Sequence, residues 1–183
     1  MGRSYSKLRP EVIDDLTRLT GYSAHELHQK YSEFLTFHPS GKMAESEFIE
    51  MYQSLFPKGD AEKFALLTFN SFDKNRDGGV DFKEFICALY ITSRGQVQEK
   101  LDWAFNLYDI DRNGYISREE CLEIISAIHC MMDVKSESPA SMTDKIFEQL
   151  DKDMDGRVSK EEFIEGSSAN PSIISILSTR TEK

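Results

Sequence analysis

Twelve residues from Asp109 to Glu120, DIDRNGYISREE, place oxygen-bearing side chains at positions 1, 3, 5, 9 and 12 of the run. These are Asp109, Asp111, Asn113, Ser117 and Glu120, and Tyr115 at position 7 adds its backbone carbonyl. Gly114 at position 6 permits the sharp turn that wraps the chain round an ion. A hard cation such as calcium takes six to eight oxygens, and a bidentate Glu at position 12 completes that shell. Ile116 at position 8 points away from such an ion and suits a short strand tying paired loops together.

The pattern recurs in Asp73 to Glu84, DKNRDGGVDFKE, and in Asp151 to Glu162, DKDMDGRVSKEE. The second loop therefore offers Asp73, Asn75, Asp77, the Gly79 carbonyl, Asp81 and Glu84. The last offers Asp151, Asp153, Asp155, the Arg157 carbonyl, Ser159 and Glu162. Average residue usage gives one such match odds of about one in several hundred thousand per start position. Three matches in 183 residues are not accidental, and the spacing predicts three calcium sites. Asp81 at position 9 raises the ligand charge of the second loop, so that loop is expected to hold magnesium at rest better than the third.

A fourth copy lies upstream, in phase but altered: Thr36 to Glu47, TFHPSGKMAESE. Gly41 and Glu47 keep positions 6 and 12, but Thr36, His38 and Ser40 stand at 1, 3 and 5, and Pro39 stiffens position 4. With no carboxylate in its first half, this loop is expected to bind no calcium and to serve as a structural partner. Met43 keeps position 8, opposite Val80 of the next loop.

The loops start at 36, 73, 109 and 151, a period of about 37 residues with an insertion before the last copy. Apolar residues at helical spacing flank each one. Phe64, Phe69 and Phe72 enter the second loop, and Phe85, Ile86 and Leu89 leave it. Leu101, Phe105 and Tyr108 enter the third, and Leu122, Ile125 and Ile128 leave it. Ile146, Phe147 and Leu150 enter the fourth, and Phe163 and Ile164 leave it. An isolated helix–loop–helix leaves an apolar face and a strand edge uncovered, so copies one and two, and three and four, are expected to pair. Upstream, Val12, Ile13, Leu16 and Leu19 form one helix face between Pro10 and Gly21, and Ser23 and Glu26 have capping-box spacing. Thr92 to Gly95 reads as the hinge between pairs, and Ser136 to Pro139 as the inserted polar loop.

The formal net charge of −10 argues against a nucleic-acid partner. The three loops hold thirteen acids and eight bases, a balance of −5. Three calcium ions would reduce the net charge to −4, relieving self-repulsion. Cys87, Cys121 and Cys130 lack C-x-x-C spacing and read as reduced, mostly buried thiols of a cytoplasmic protein. His25 and His28 read as solvated surface residues. No signal peptide or membrane-length apolar run is evident, so any membrane contact is expected to be peripheral. Met1-Gly-Arg-Ser-Tyr-Ser6 fits the acceptor pattern for myristoylation of Gly2, and Arg3, Lys7 and Arg9 make that segment basic. One acyl chain binds bilayers marginally, at roughly 10⁴ M⁻¹, and nearby basic residues add about 1 kcal/mol each at an anionic surface.

The chain resembles the neuronal calcium sensor family, in its frequenin, hippocalcin and visinin-like branch. The resemblance is carried by Ser6 to Val12, Pro39-Ser-Gly41, Thr92 to Gly95, Lys100 to Phe105, Asn113 to Ser117, Glu162 to Gly166 and Pro171 to Ile173. It implies an all-α fold of four EF-hands in two pairs, each pair bridged by a short antiparallel β-connection. Residues 1–95 would hold the N-terminal pair and an acylated arm, and residues 96–183 the C-terminal pair and a final helix around Ile173, Ile174, Ile176 and Leu177. It further implies that calcium exposes the myristoyl group or an apolar groove. The groove would take a helix of a membrane-associated target such as a receptor kinase, lipid kinase, cyclase or channel.

By that resemblance and by apolar spacing, Phe34, Phe48, Tyr52, Phe56, Phe85, Leu89 and Trp103 are groove candidates, and each is equally readable as ordinary core. Two departures stand out: Lys30 beside Tyr31 replaces a Trp, and His38 replaces a Cys. Loss of a tryptophan anchor leaves the target open. A calcium buffer is the alternative to a sensor, and no catalytic constellation outside the metal loops supports an enzyme.

Overall fold

The computed structural model describes residues 8–133, 135 and 137–169. Gly2 with its basic neighbours Arg3 and Lys7, and the apolar run from Ile173 to Leu177, lie outside the described residues. Two helices come first, α1 (Pro10–Thr20) and α2 (Ala24–Phe37), followed by β1 (Lys42–Ala44), α3 (Glu45–Leu55) and α4 (Glu62–Phe72). Next are β2 (Gly79–Asp81), α5 (Phe82–Arg94), α6 (Val97–Tyr108), β3 (Tyr115–Ser117) and α7 (Arg118–Met132). The last described elements are α8 (Pro139–Leu150), β4 (Arg157–Ser159) and α9 (Lys160–Ala169). Each loop of the sequence repeat thus lies between two helices and carries one three-residue strand. The fold is all-α apart from these strands, as paired EF-hands require.

The local signals act where the sequence places them. Pro10 starts α1, whose fixed φ suits a first helical turn, and Gly21 ends it in the left-handed region at φ 68°. The Ser23 side chain accepts from the Glu26 backbone N–H at 3.2 Å while Glu26 accepts from the Ser23 N–H at 2.8 Å, closing the capping box. On α1, Ile13 and Leu16 are buried, whereas Leu19 is 57% exposed and leaves the expected apolar face.

The strands join the loops in two antiparallel pairs. β1 and β2 align Lys42 with Asp81, Met43 with Val80 and Ala44 with Gly79. β3 and β4 align Tyr115 with Ser159, Ile116 with Val158 and Ser117 with Arg157. The position-8 residues Met43, Val80, Ile116 and Val158 are all buried, so each bridge is bolted to a core by its central pair.

Two apolar clusters fill the molecule. One gathers Leu16, Leu27, Phe34, Phe48, Phe69, Phe72, Val80 and Ile86. The other gathers Leu101, Phe105, Tyr108, Ile125, Ile146, Leu150 and Phe163. They are not separate bodies. Helix α4 gives Ala65, Phe69 and Phe72 to the first cluster and Phe64 to the second, while Tyr52 and Trp103 pack against both.

Three local expectations change. Thr92, Ser93 and Arg94 do not form a hinge but continue α5, with the Thr92 hydroxyl donating to the Ala88 carbonyl at 3.0 Å. The break falls at Gly95, whose added Cβ would lie 2.5 Å from the Ile91 carbonyl oxygen. Pro139 opens α8 in its first turn rather than ending a loop, with Ser138 as N-cap. Cys121 is buried and Cys87 half-buried, but Cys130 is exposed. It falls off the buried stripe of α7 formed by Cys121, Ile124, Ile125, Ile128 and Met131.

The two halves also meet at Gly59, between α3 and α4. A Cβ there would come within 2.1 Å of the Met131 carbonyl oxygen, and the Asp60 N–H donates to the Cys130 carbonyl at 2.9 Å. Gly59→Ala should therefore destabilise the protein by about 1–3 kcal/mol, the usual cost of overpacking. Urea denaturation in chelator measures it, and an unchanged midpoint would show that this contact is not tight.

Candidate metal centres

Each of the three acidic loops folds round its own first residue. Asp73 accepts backbone N–H bonds from Asp77 at 3.2 Å and Gly78 at 2.9 Å. Asp109 accepts from Asn113 and Gly114, both at 3.0 Å. Asp151 accepts from Asp155 at 3.2 Å and Gly156 at 3.0 Å. Position 3 repeats the motif, with Asn75, Asp111 and Asp153 each accepting the N–H of position 5 at 2.9, 3.0 and 3.2 Å respectively. These bonds curl the chain so that its side-chain oxygens converge on one side.

The closing glutamates sit in the first turn of the exit helices. Glu84, Glu120 and Glu162 each accept from the backbone N–H of position 9, namely Asp81, Ser117 and Ser159, at 2.8–3.0 Å. Their other oxygens reach back across the loop to Lys74 and Asn75, to Asp111 and to Lys152 at 3.0–3.2 Å. Position 12 thus ties the end of each loop to its beginning. The position-7 residues Gly79, Tyr115 and Arg157 open the strands.

One requirement escaped the sequence reading. Position 4 adopts a left-handed backbone in every acidic loop: Arg76 at φ 56°, Arg112 at φ 60° and Met154 at φ 58°. Gly78, Gly114 and Gly156 follow two residues later at φ 84–90°. Arginine and methionine carry no sign of this conformation, so residue type could not have revealed it. Proline cannot adopt it, because its ring holds φ near −65°. Pro39 at position 4 of the first loop therefore bars the wrap itself, beyond the loss of carboxylates.

The first loop closes on its own side chains instead. His38 Nδ1 lies 3.2 Å from Glu47 Oε2, joining positions 3 and 12, and that same oxygen accepts the Ala44 N–H at 2.8 Å. Gly41 donates to the His38 carbonyl at 2.9 Å rather than to a carboxylate.

The donor sets of the acidic loops contain only oxygens, which suits a hard cation. In the third loop, carboxylate oxygens of Asp109, Asp111 and Glu120 lie within 4.8 Å of one another, and in the fourth those of Asp151, Asp153 and Asp155 do the same. Burial pushes the Asp109 carboxyl up, and Glu120 and Asp111 add repulsion against the lowering effect of the Gly114 and Asn113 N–H groups. At Glu162 burial acts upward, yet the Ser159, Lys152 and Asp153 bonds together hold the carboxyl below its ordinary range. In the second loop Asp77 is instead engaged by the Lys42 ammonium of β1, whose hydrogen bond lowers the Asp77 carboxyl.

Of the groove candidates, two are buried and five half-buried in this conformation. Phe34 is buried against Phe82 and Phe85 at ring separations of 5.6 Å, and Phe48 against Tyr52, Phe69 and Phe72 at 5.1–5.6 Å. Tyr52, Phe56, Phe85, Leu89 and Trp103 are half-buried. Lys30 places its ammonium 5.3 Å from the Tyr22 ring centre, a cation–π contact beside α2. His25 and His28 are exposed.

A family model described as an EF-hand domain pair matches residues 98–168, and one described as an EF hand matches residues 65–86. Neuronal calcium sensor 1 of Lymnaea stagnalis is 44% identical over 183 residues, covering 97% of this chain and 96% of that protein. Recoverin of Homo sapiens is 38% identical over 192 residues, covering 100% and 96%. The chain belongs to the neuronal calcium sensor family. As a member of this family it is a calcium sensor built on EF-hands, and acidic groups such as Asp109, Asp111 and Glu120 suit calcium binding. Among the described residues no helix is long and apolar enough to cross a membrane.

The first hand gives a structural test. Because Glu47 accepts the Ala44 N–H at the start of α3 and meets His38, Glu47→Ala should cost about 0.5–2 kcal/mol of stability in chelator, the range for losing a helix cap. Thermal unfolding reads this, and an undiminished midpoint would show that the pairing holds nothing in place.

Proposed function

We propose that the protein binds three calcium ions, one in each of the loops Asp73–Glu84, Asp109–Glu120 and Asp151–Glu162. Binding then turns the flanking helices to present an apolar groove and an N-terminal acyl group to a membrane-associated target. The observation carrying this reading is the contrast within one chain. Three loops share the same inward curl, while the first loop in the chain is barred from it by Pro39 and closed by His38 and Glu47. The ligands would be Asp73, Asn75, Asp77, Asp81 and Glu84; Asp109, Asp111, Asn113, Ser117 and Glu120; and Asp151, Asp153, Asp155, Ser159 and Glu162. The carbonyls of Gly79, Tyr115 and Arg157 complete the sets. Bound calcium supplies charge that cancels the mutual repulsion of these groups and fixes the angle between entering and leaving helices.

A sensor rather than a buffer is favoured by the state of the apolar surface. Phe34, Phe48 and Trp103 pack on helices that enter or leave the loops, so helix rotation would uncover them. The covered state also carries unmet needs. Trp103 Nε1 and the Tyr108 hydroxyl are buried with no hydrogen-bond partner among the described residues, at about 1–3 kcal/mol each. The groove would accept an amphipathic helix through those aromatics together with Tyr52, Phe56, Phe85 and Leu89. A division into residues 1–95 and 96–183 at the Gly95 break belongs to the same reading, as does a cytoplasmic, peripheral-membrane location. Myristate on Gly2 would add marginal affinity that calcium tips one way or the other.

Calorimetry should count three calcium ions. Glu84→Gln, Glu120→Gln and Glu162→Gln should each remove one, and Glu47→Gln none. Four ions in the unaltered protein would overturn the assignment of the first loop. Calcium should also raise the fluorescence of an apolar dye several-fold, and no rise would favour a buffer.

For the lipid, acylated protein should sediment with anionic liposomes more strongly in calcium than in chelator, and Gly2→Ala should bind weakly in both. Equal binding of the acylated form in both conditions would make the acyl chain a fixed anchor. Equal binding of Gly2→Ala would remove the anchor altogether.

A further inference from the structure

We infer that Lys42 of the silent first loop is an intramolecular competitor for the second calcium site and sets its affinity. The inference rests on the proposed assignment of Asp73–Glu84 as a calcium loop.

Three observations meet at this residue. The Lys42 ammonium is bonded to Asp77 Oδ2, a carboxylate at position 5 of the second loop. The ammonium and a metal ion would therefore draw on the same oxygen. The stem of Lys42 reaches that oxygen by lying along β2, where its partner in the strand register is Asp81. Gly79 makes the room: a Cβ there would stand 3.3 Å from both Cβ and Cδ of Lys42. Finally, the second loop has Asn75 at position 3, where the third and fourth have Asp111 and Asp153 within their three-carboxylate groups, so it depends more on its remaining acids. It is also the loop with a cation held on one of its acids.

The other hand pair supplies the contrast. Tyr115 and Arg157 stand at position 7 there, in place of Lys42 and Gly79. The Arg157 guanidinium lies 5.8 Å from the centre of the Tyr115 ring, so its charge is turned to an aromatic face and not to a ligand carboxylate. The silent loop, having lost its own ion, thus retains a charge that acts on its neighbour. This bears on magnesium as well. The four acids of the second loop favour tight binding, but with Asp77 paired the advantage over the third loop is offset.

Both partners are partly exposed, with side-chain accessibilities of 48% and 37%, so the effect should be moderate and sensitive to salt. The test uses full-length protein carrying Glu120→Gln and Glu162→Gln, which leaves the second loop as the remaining site. Calcium affinity is measured by calorimetry with Lys42, Lys42→Met and Lys42→Arg. Lys42→Met should bind about 2- to 5-fold tighter at low ionic strength, the span of an exposed ion pair. The gap should narrow in 0.5 M salt, at a Debye length of roughly 4 Å. Lys42→Arg, which keeps the charge, should stay near the parent value.

An unchanged or weaker affinity for Lys42→Met overturns the inference, and so does equal tightening by Met and Arg, which would show that charge is not the cause. Absence of calcium binding in all three forms would instead overturn the assignment of the second loop, and the inference with it.

Discussion

Concentrated negative charge in a tight turn is the constraint on which the rest of this structure depends. In each acidic loop the first aspartate is ringed by backbone N–H groups, and the last glutamate is bonded to N–H groups at both ends of the loop. The backbone therefore acts as a partial counter-charge that holds the acids in place. It does not offset everything: burial first, and then Glu120 and Asp111, push the Asp109 carboxyl up despite those N–H bonds. On the proposed reading a divalent cation would complete what the N–H groups begin, and its binding energy would then be available to move helices.

The scaffolding follows from the same requirement. A curled loop cannot hold its shape alone, so two loops share a three-residue bridge whose central pair is buried: Met43 with Val80, and Ile116 with Val158. Without the first loop, β2 would lose its partner strand and Val80 part of its cover. Helix α4 then carries the constraint between pairs, since its Phe69 and Phe72 lie in one core and its Phe64 in the other. Arg112 of the third loop adds a polar link, donating to the Asn70 carbonyl at 2.9 Å near the end of α4.

Much of this was legible in the sequence because it depends on residue type at fixed spacing. The four loops, their pairing and the position-8 contacts follow from oxygen donors, glycines and β-branched or apolar residues in register. What was hidden depends on conformation or distance. The left-handed backbone at Arg76, Arg112 and Met154 is imposed by the loop closure and not by those residues. The hinge, read over Thr92 to Gly95, narrows to Gly95 because Thr92 and Ser93 satisfy their hydroxyls on carbonyls one turn back and stay helical. The contact of Lys42 with Asp77 spans thirty-five positions and needed the strand register to appear. Exposure of Cys130 and Leu19 likewise turned on helix phase within a packed neighbourhood.

The amide groups of the position-6 glycines test the central claim most directly. Gly78, Gly114 and Gly156 donate to the leading aspartates of their loops, whereas Gly41 donates to a backbone carbonyl. In a nitrogen–proton correlation spectrum, calcium should move the resonances of the first three strongly downfield, because a carboxylate fixed on an ion holds the N–H bond short and straight. Gly41 should shift little. Large shifts of all four glycines, or of fewer than three, would contradict an account in which three loops bind calcium and the first is closed by its own side chains.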